Sequence, residues 1–371
     1  MKKRTYIAIL FSLILLSSCF PAKGVLAAES VKAKVQRIIE EQTIVRENGA
    51  KITQQNLELI SLGGESKGET LIFNGISNID VVSARAYKPG DLVFVNIDQN
   101  QEGGQEIYIV DYVREGGLLW LLILFVVVVV LVGGKIGWRS LVALGFSFWL
   151  IMKFLTPLIL NGYNPMVVGP VTALLILMCL VYITEGWNRK AHIAIMSIFS
   201  ALIITFGLSW FFVNLTQLSG TASEEVMFLI SDNIRAINFQ GLLLAAIIIG
   251  ALGVLDDIAI GQIEAVEQLI INNPAQTRIK IFGSAMAIGR AHLGAIINTL
   301  FLAYAGASLP LILLFNIKSE PFLSFSQVIN NEEIATEIVR SLVGVIGLCL
   351  TMPIATILAV WLLFNKKEHV V

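Results

Sequence analysis

A chain of 371 residues that is 56% hydrophobic and only 14% charged, with a mean hydropathy of +0.78, is not composed like an ordinary soluble enzyme, since soluble domains carry about 25% charged residues. The formal net charge of −1 hides an uneven layout: 23 of the 53 acidic and basic side chains fall between Glu29 and Glu115, and 26 fall in the 256 positions from Gly116 onward. No basic stripe or domain is present, so nucleic acid is not an expected partner. Cys19, Cys179 and Cys349 form neither a disulfide framework nor a CxxC metal knuckle, and no cofactor is expected.

Residues 1–28 read as a signal peptide. Lys2, Lys3 and Arg4 precede the apolar stretch Tyr6 to Leu16, which suits a signal-peptide core and is short for a crossing. Three fates are open: cleavage between Val25-Leu26-Ala27 and Ala28, lipidation of Cys19 at the lipobox-like Leu16-Ser17-Ser18-Cys19, or retention as an anchor.

Residues 29–115 alternate with period two. Val31, Ala33 and Val35 interleave with Lys32 and Lys34, and further apolar runs surround Phe94 and Ile107. Turn signals at Gly63-Gly64, Asn74-Gly75, Lys88-Pro89-Gly90-Asp91 and Gly103-Gly104 separate them. A small all-β domain, sandwich or partly open barrel, is expected. It has no His and no compact acidic loop, so no metal site is expected in it.

Residues 116–371 hold seven apolar stretches: Leu118–Gly134, Leu141–Leu160, Met166–Thr184, Ala191–Val213, Ala236–Leu255, Leu293–Phe315 and Ser341–Phe364. Each approaches the roughly 20 residues that cross a bilayer. With the β domain outside, the inner loops hold Lys135, Arg139, Arg189, Lys190, Arg278, Lys280, Arg290, Lys366 and Lys367, whereas the outer loops hold Arg235, Lys318 and Arg340. This asymmetry follows the positive-inside rule. The predicted fold class is a polytopic α-helical membrane protein with about seven transmembrane helices and a small N-terminal all-β extracytoplasmic domain. The C-terminus is then cytoplasmic.

The least expected residues for a spanning helix are Asp256 and Asp257, which follow Gly250-Ala251-Leu252-Gly253. Acids inside a membrane mark ion or proton pathways by default. The alternative is a solvated helix face just below the bilayer, on which Asp257, Gly261, Glu264 and Gln268 recur. Gly250 and Gly253 suit close helix packing. A basic amphipathic helix from Gln276 to Arg290 is expected to lie in the interface, its cations meeting lipid headgroups or these acids. The next span carries His292, Asn298 and Tyr304, which either line a polar path or, for Asn298, bond across helices. Thr156-Pro157, Gly169-Pro170 and Met352-Pro353 suggest breaks or kinks of the kind found at transporter sites, or packing alone.

No HExxH, GxSxG or Walker A sequence occurs. Adjacent acids on a helix diverge by about 100° and cannot form a dyad across one bond. An enzyme is therefore not expected.

Gly250-Ala251-Leu252-Gly253 with Asp256-Asp257, the segment Gly283 to Arg290, Asn298-Thr299-Leu300 and Ala303-Tyr304-Ala305-Gly306 together resemble the YibE/F-like family of bacterial multi-spanning membrane proteins. The family pattern has one Asp after the glycines, and two residues stand at that place here. The resemblance implies a Gram-positive cell membrane and pairing with a shorter paralogue, and assigns no catalytic residue. The expected function is transport of a small solute or ion, with Asp256, Asp257, Asn298, Tyr304 and His292 as candidates for the path. The rival is a non-transporting scaffold whose external β domain binds an envelope partner. The lipid bilayer is the partner common to both.

Overall fold

The computed structural model describes residues 30–45, 51–64, 66–76, 86–99, 105–231, 237–317 and 323–364. The leader with Cys19, and the loop residues Asp232, Arg235, Lys318, Lys366 and Lys367, lie outside the described residues. The chain divides into two compact units, one carrying the β-strands and running to Val128, the other helical from Val129.

The alternating segments form β1 (Ser30–Val45), β2 (Lys51–Ser61), β3 (Thr70–Asn74), β4 (Leu92–Gln99) and β5 (Gln105–Tyr112). They make one antiparallel sheet in the order β3-β2-β1-β4-β5. Ala33 sits opposite Ser61 on one side and Val93 on the other. Period two then places Ala33, Val35, Leu57, Leu59, Leu71, Val93 and Val95 in a single core. The sheet is a half-barrel whose edge strands β3 and β5 approach each other. Gln55 fastens the chain before β4: its Oε1 accepts from Tyr87 N at 2.7 Å and its Nε2 donates to Tyr87 O at 3.2 Å.

The apolar remainder forms α1 (Glu115–Leu150), a π-helical turn (Ile151–Leu155) and α2 (Thr156–Leu160). Then come α3 (Pro165–Thr184), α4 (Arg189–Leu215), α5 (Glu224–Ser231), α6 (Phe239–Asn272) and α7 (Arg278–Ala307). The last are α8 (Leu309–Ile317), α9 (Phe325–Ile329) and α10 (Glu332–Phe364). Asparagines start three of them: Asn164, Asn188 and Asn238 accept from Met166 N, Ala191 N and Gly241 N. The π turn precedes Pro157, which has no N–H for the ladder. Thr156 bridges the gap by donating N–H and Oγ1 to Ile151 O.

Among the described residues, six helical stretches are long and apolar enough to cross a membrane: α1 through α2, α3, α4, α6, α7 and α10. Seven separate stretches were expected. The difference lies at Lys135–Ser140, read as a loop but helical here, so the first two expected spans form one 46-residue stretch. Its break is Gly134, with φ +55° and ψ −131°, a conformation only glycine adopts without strain. A second difference is the segment Gln276 to Arg290. It is not a separate interfacial helix, because from Arg278 it continues into α7, where Ile281, Ala285 and Gly289 are buried.

Helix α6 is central and packs on α3, α4, α7 and α10. Close approach depends on glycine at two crossings. A Cβ on Gly169 would meet Ala245 Cβ at 2.4 Å, and one on Gly347 would meet Thr205 Oγ1 at 2.2 Å. The two ends of the bundle differ in charge. At one end, Arg139 donates to Thr184 O at 3.2 Å, Lys190 pairs with Glu264 and Glu267 at 2.8 Å each, and Arg278 lies over the Phe364 ring. At the other, Glu332 accepts from Ser219 N, Ser219 Oγ and Gly220 N, tying the start of α10 to the turn after α4.

Candidate functional site: a buried carboxyl on the central helix

Most polar groups inside the bundle are internally satisfied. Ser147, Thr172, Ser197, Thr205, Ser209 and Thr351 are buried, and each donates to the carbonyl four residues earlier. They line no path. Gln262 on α6 is buried as well, and its amide joins three helices. Oriented to satisfy both ends, its nitrogen donates to Ala285 O at 3.3 Å and to Thr356 Oγ1 at 3.1 Å, and its oxygen accepts from Gly289 N at 3.2 Å. Gly289 permits this, since a Cβ there would lie 1.9 Å from the end of the Gln262 amide and 2.6 Å from Met352 Sδ.

Four buried side-chain atoms of the helical unit lack a hydrogen-bond partner among the described residues, Gln276 Oε1, Thr336 Oγ1, Arg340 Nε and Asp256 Oδ1, and Asp256 is the carboxyl among them. It is 7% exposed, and its Oδ1 is buried with no hydrogen-bond partner among the described residues. The charged groups acting on it are both carboxylates, Asp257 beside it and Glu185 capping the C-terminus of α3. Close to Glu185 in the chain stands an aromatic cluster. Tyr182 Oη and His192 Nδ1 share a hydrogen bond of 2.9 Å, Tyr182 stacks on Trp187 at 4.5 Å, and Trp187 meets the His192 ring edge-on at 4.9 Å. No cation pairs with Asp256 among the described residues.

Asp257 points elsewhere, about 100° further round the helix. It belongs to an exposed stripe of Ala246, Gly250, Gly253, Asp257, Gly261, Glu264 and Gln268, recurring at intervals of three and four. The glycine pair expected to pack closely does not do so within this chain: a Cβ on Gly250 or Gly253 meets nothing within 4 Å. The reason is helical phase, since the buried side of α6 is the one carrying Ala251, Leu255 and Ala259. His292 and Asn298 lie on the exposed back of α7. Tyr304 lines a largely apolar cavity of about 300 Å³ with Phe301, Ile312, Val328 and Glu337. No side-chain hydrogen bond or ion pair joins any two of the five path candidates among the described residues.

A second cavity, of about 390 Å³, opens at the acidic end between α5, α6 and α10. Ala246, Glu225, Glu333, Thr336, Glu337 and Arg340 line it, and Glu337 borders both cavities. Arg340 Nη1 pairs with Glu337 at 2.6 Å. Sequence reasoning missed Gln262, Glu185, Tyr182 and this cleft. Gln262 carried one signal, an amide at the buried phase of its helix between the apolar Ala259 and Ile263. The others depend on tertiary contacts.

A β half-barrel followed by a bundle of long apolar helices, with one unpaired carboxyl in its interior, defines a membrane protein of the multi-helix class. The chain belongs to the YibE/F-like protein family, which it matches over residues 121–365, and residues 28–112 match the YibE/F family N-terminal domain. No curated relative and no solved structure matches it.

Proposed function

We propose that this chain is a multi-pass cell-membrane protein that moves a small solute or ion, using Asp256 as its cation- or proton-binding group. The observation that carries the reading is the unpaired Oδ1 of Asp256 on the most enclosed helix of the bundle. A carboxylate buried without a partner costs several kcal/mol, and a proton or small cation removes that cost while it is bound. Polar groups kept inside membrane helices at such expense serve ion and proton pathways by default.

The topology supports the same reading. The stretch from α1 to α2 is about 69 Å long, twice a hydrocarbon core of about 30 Å, so the break at Gly134 separates two crossings and gives seven in all. The basic end of the bundle faces the cytoplasm by the positive-inside rule. The acidic end, with its cleft of Glu225, Glu333 and Glu337, then faces outward and gathers cations.

Cation binding to the detergent-purified full chain tests the proposal. A thermal-shift series across lithium, sodium, potassium and magnesium, repeated from pH 5 to 8, is expected to show stabilisation by one cation or by protons. Asp256→Asn removes the response and Asp257→Asn retains it. An unchanged response in Asp256→Asn would sink the assignment.

A further inference from the structure

Two exposed charges stand well inside the helices of the central hairpin, beyond the first turn that holds Lys280, with no partner among the described residues. Asp257 on α6 and Arg290 on α7 make no ion pair and no side-chain hydrogen bond among the described residues. They cannot meet within one chain. Helix α7 packs through Gly289 onto Gln262 of α6, and Asp257 lies about 140° round α6 from Gln262.

The surroundings of both charges are unlike a lipid-facing surface. Around Asp257 the exposed positions are Gly250, Gly253 and Gly261; around Arg290 they are Ala287, Ile288, Ala291, His292, Gly294 and Asn298, with Ile288 the one large apolar side chain. Elsewhere the bundle shows lipid what lipid favours, as with Ile203, Phe211 and Trp361, each more than half exposed. Small residues let helix backbones approach closely, and a charge left in the membrane without a partner is costly.

The depths match. Helices α6 and α7 join through a turn closed by Gln276 N to Asn273 O at 3.1 Å, so their joined ends are neighbours. Measured from those ends at 1.5 Å per residue, Asp257 stands about 23 Å and Arg290 about 18 Å along. Gly253 and Gly294 stand at about 29 and 24 Å, and Gly261 and Ala287 at about 17 and 14 Å. Each pair agrees within about one helical turn.

We infer that a second copy of this chain lays the back of its α7 along the Gly250–Gly253–Asp257–Gly261 stripe of α6, pairing Arg290 of one copy with Asp257 of the other. The acidic and basic faces lie on different sides of the hairpin, so the contact is heterologous, the kind that forms a ring when its rotation closes. Asn298 then borders the neighbour's Gly250 rather than lipid. The inference rests on membrane insertion of α6 and α7 and is independent of transport.

Oxidative cross-linking in native membranes tests it, using the full chain with Cys19, Cys179 and Cys349 replaced by Ala. Differently tagged copies carrying Gly253→Cys and Gly294→Cys, co-expressed, are expected to cross-link at least tenfold more than copies carrying Ile203→Cys and Gly294→Cys. Asp257→Lys alone and Arg290→Glu alone should each lower the yield, and the two together in every copy should restore it. Native mass spectrometry of the unmodified protein should show a closed oligomer, which guards against variants that fail to fold. Three results overturn the inference: no cross-link in membrane-inserted protein, Gly253→Cys linking only to itself, or capture of a different protein at these positions. Loss of transport with the cross-link intact leaves it standing.

Discussion

Asp256 and Asp257 are chemically identical neighbours, and the fold gives them opposite surroundings. The orphaned Oδ1 of Asp256 predicts a test free of any transport assay. Asp256→Leu removes a buried group without a partner, so it should raise stability by about 1–3 kcal/mol, read as a higher unfolding temperature in detergent, while Asp257→Leu should not. Lower stability in Asp256→Leu would mean that the carboxyl is satisfied in the folded protein. A carboxyl outside the helices gives a pH test. Asp111 accepts a 2.6 Å hydrogen bond from Arg114, and this, with the Tyr112 backbone N–H, holds its carboxyl below the usual carboxylate range. Its folded value lies below its unfolded one, so the support it lends is fully present above the ordinary carboxylate range. That support is lost as pH falls through the depressed value. The pair is exposed and screened by salt, so the readout is an NMR titration of Asp111, returning to the ordinary range in Arg114→Gln. The acid pair was legible in sequence as two carboxylates closing an apolar run. Which one is buried was not, because a 100° step decides it and the neighbours that set the phase of α6 come from three distant segments.

At the scale of elements, glycine separates contacts made within the chain from faces left open. Gly169→Ala and Gly347→Ala should each destabilise by about 1–3 kcal/mol through overpacking, since their Cβ atoms would fall 2.4 and 2.2 Å from Ala245 and Thr205. Gly253→Ala meets nothing within the chain and should be neutral or gain up to about 1 kcal/mol from helix propensity. Thermal unfolding in a detergent that separates the copies checks all three. The strands were legible through period two, and the half-barrel core is the alternating set around Ala33 and Val35. The helix ends were less so. Lys135 and Arg139 looked like loop residues, yet they stand four apart and a helix accommodates both. Gly134, the actual break, could not be told from its neighbour Gly133, because a positive φ leaves no trace in composition. The amphipathic character of Gln276 to Arg290 was read correctly as a pattern and wrongly as a separate element. Of its apolar residues Ile281 is buried, whereas Ile279 and Ile288 are exposed.

At the scale of the whole molecule, the uneven charges sort by place: a charged β unit, a basic end of the bundle and an acidic end. Cysteine accessibility tests the proposed orientation in intact cells. Ser66→Cys and Asn330→Cys should react with a membrane-impermeant maleimide, and Ala275→Cys only after permeabilisation; the reverse pattern would invert the topology. Orientation bears on the proposed transport, because a transport site is reached from both sides of the membrane in turn. The most direct test of the role of Asp256 is cation and proton flux across proteoliposomes containing wild-type chain, Asp256→Asn or Asp257→Asn. The expected result is a flux in wild type that falls at least tenfold in Asp256→Asn and stays within about threefold in Asp257→Asn, a gap of at least about 0.7 kcal/mol between the variants. Equal flux in wild type and Asp256→Asn, with all variants folded and inserted, would contradict it.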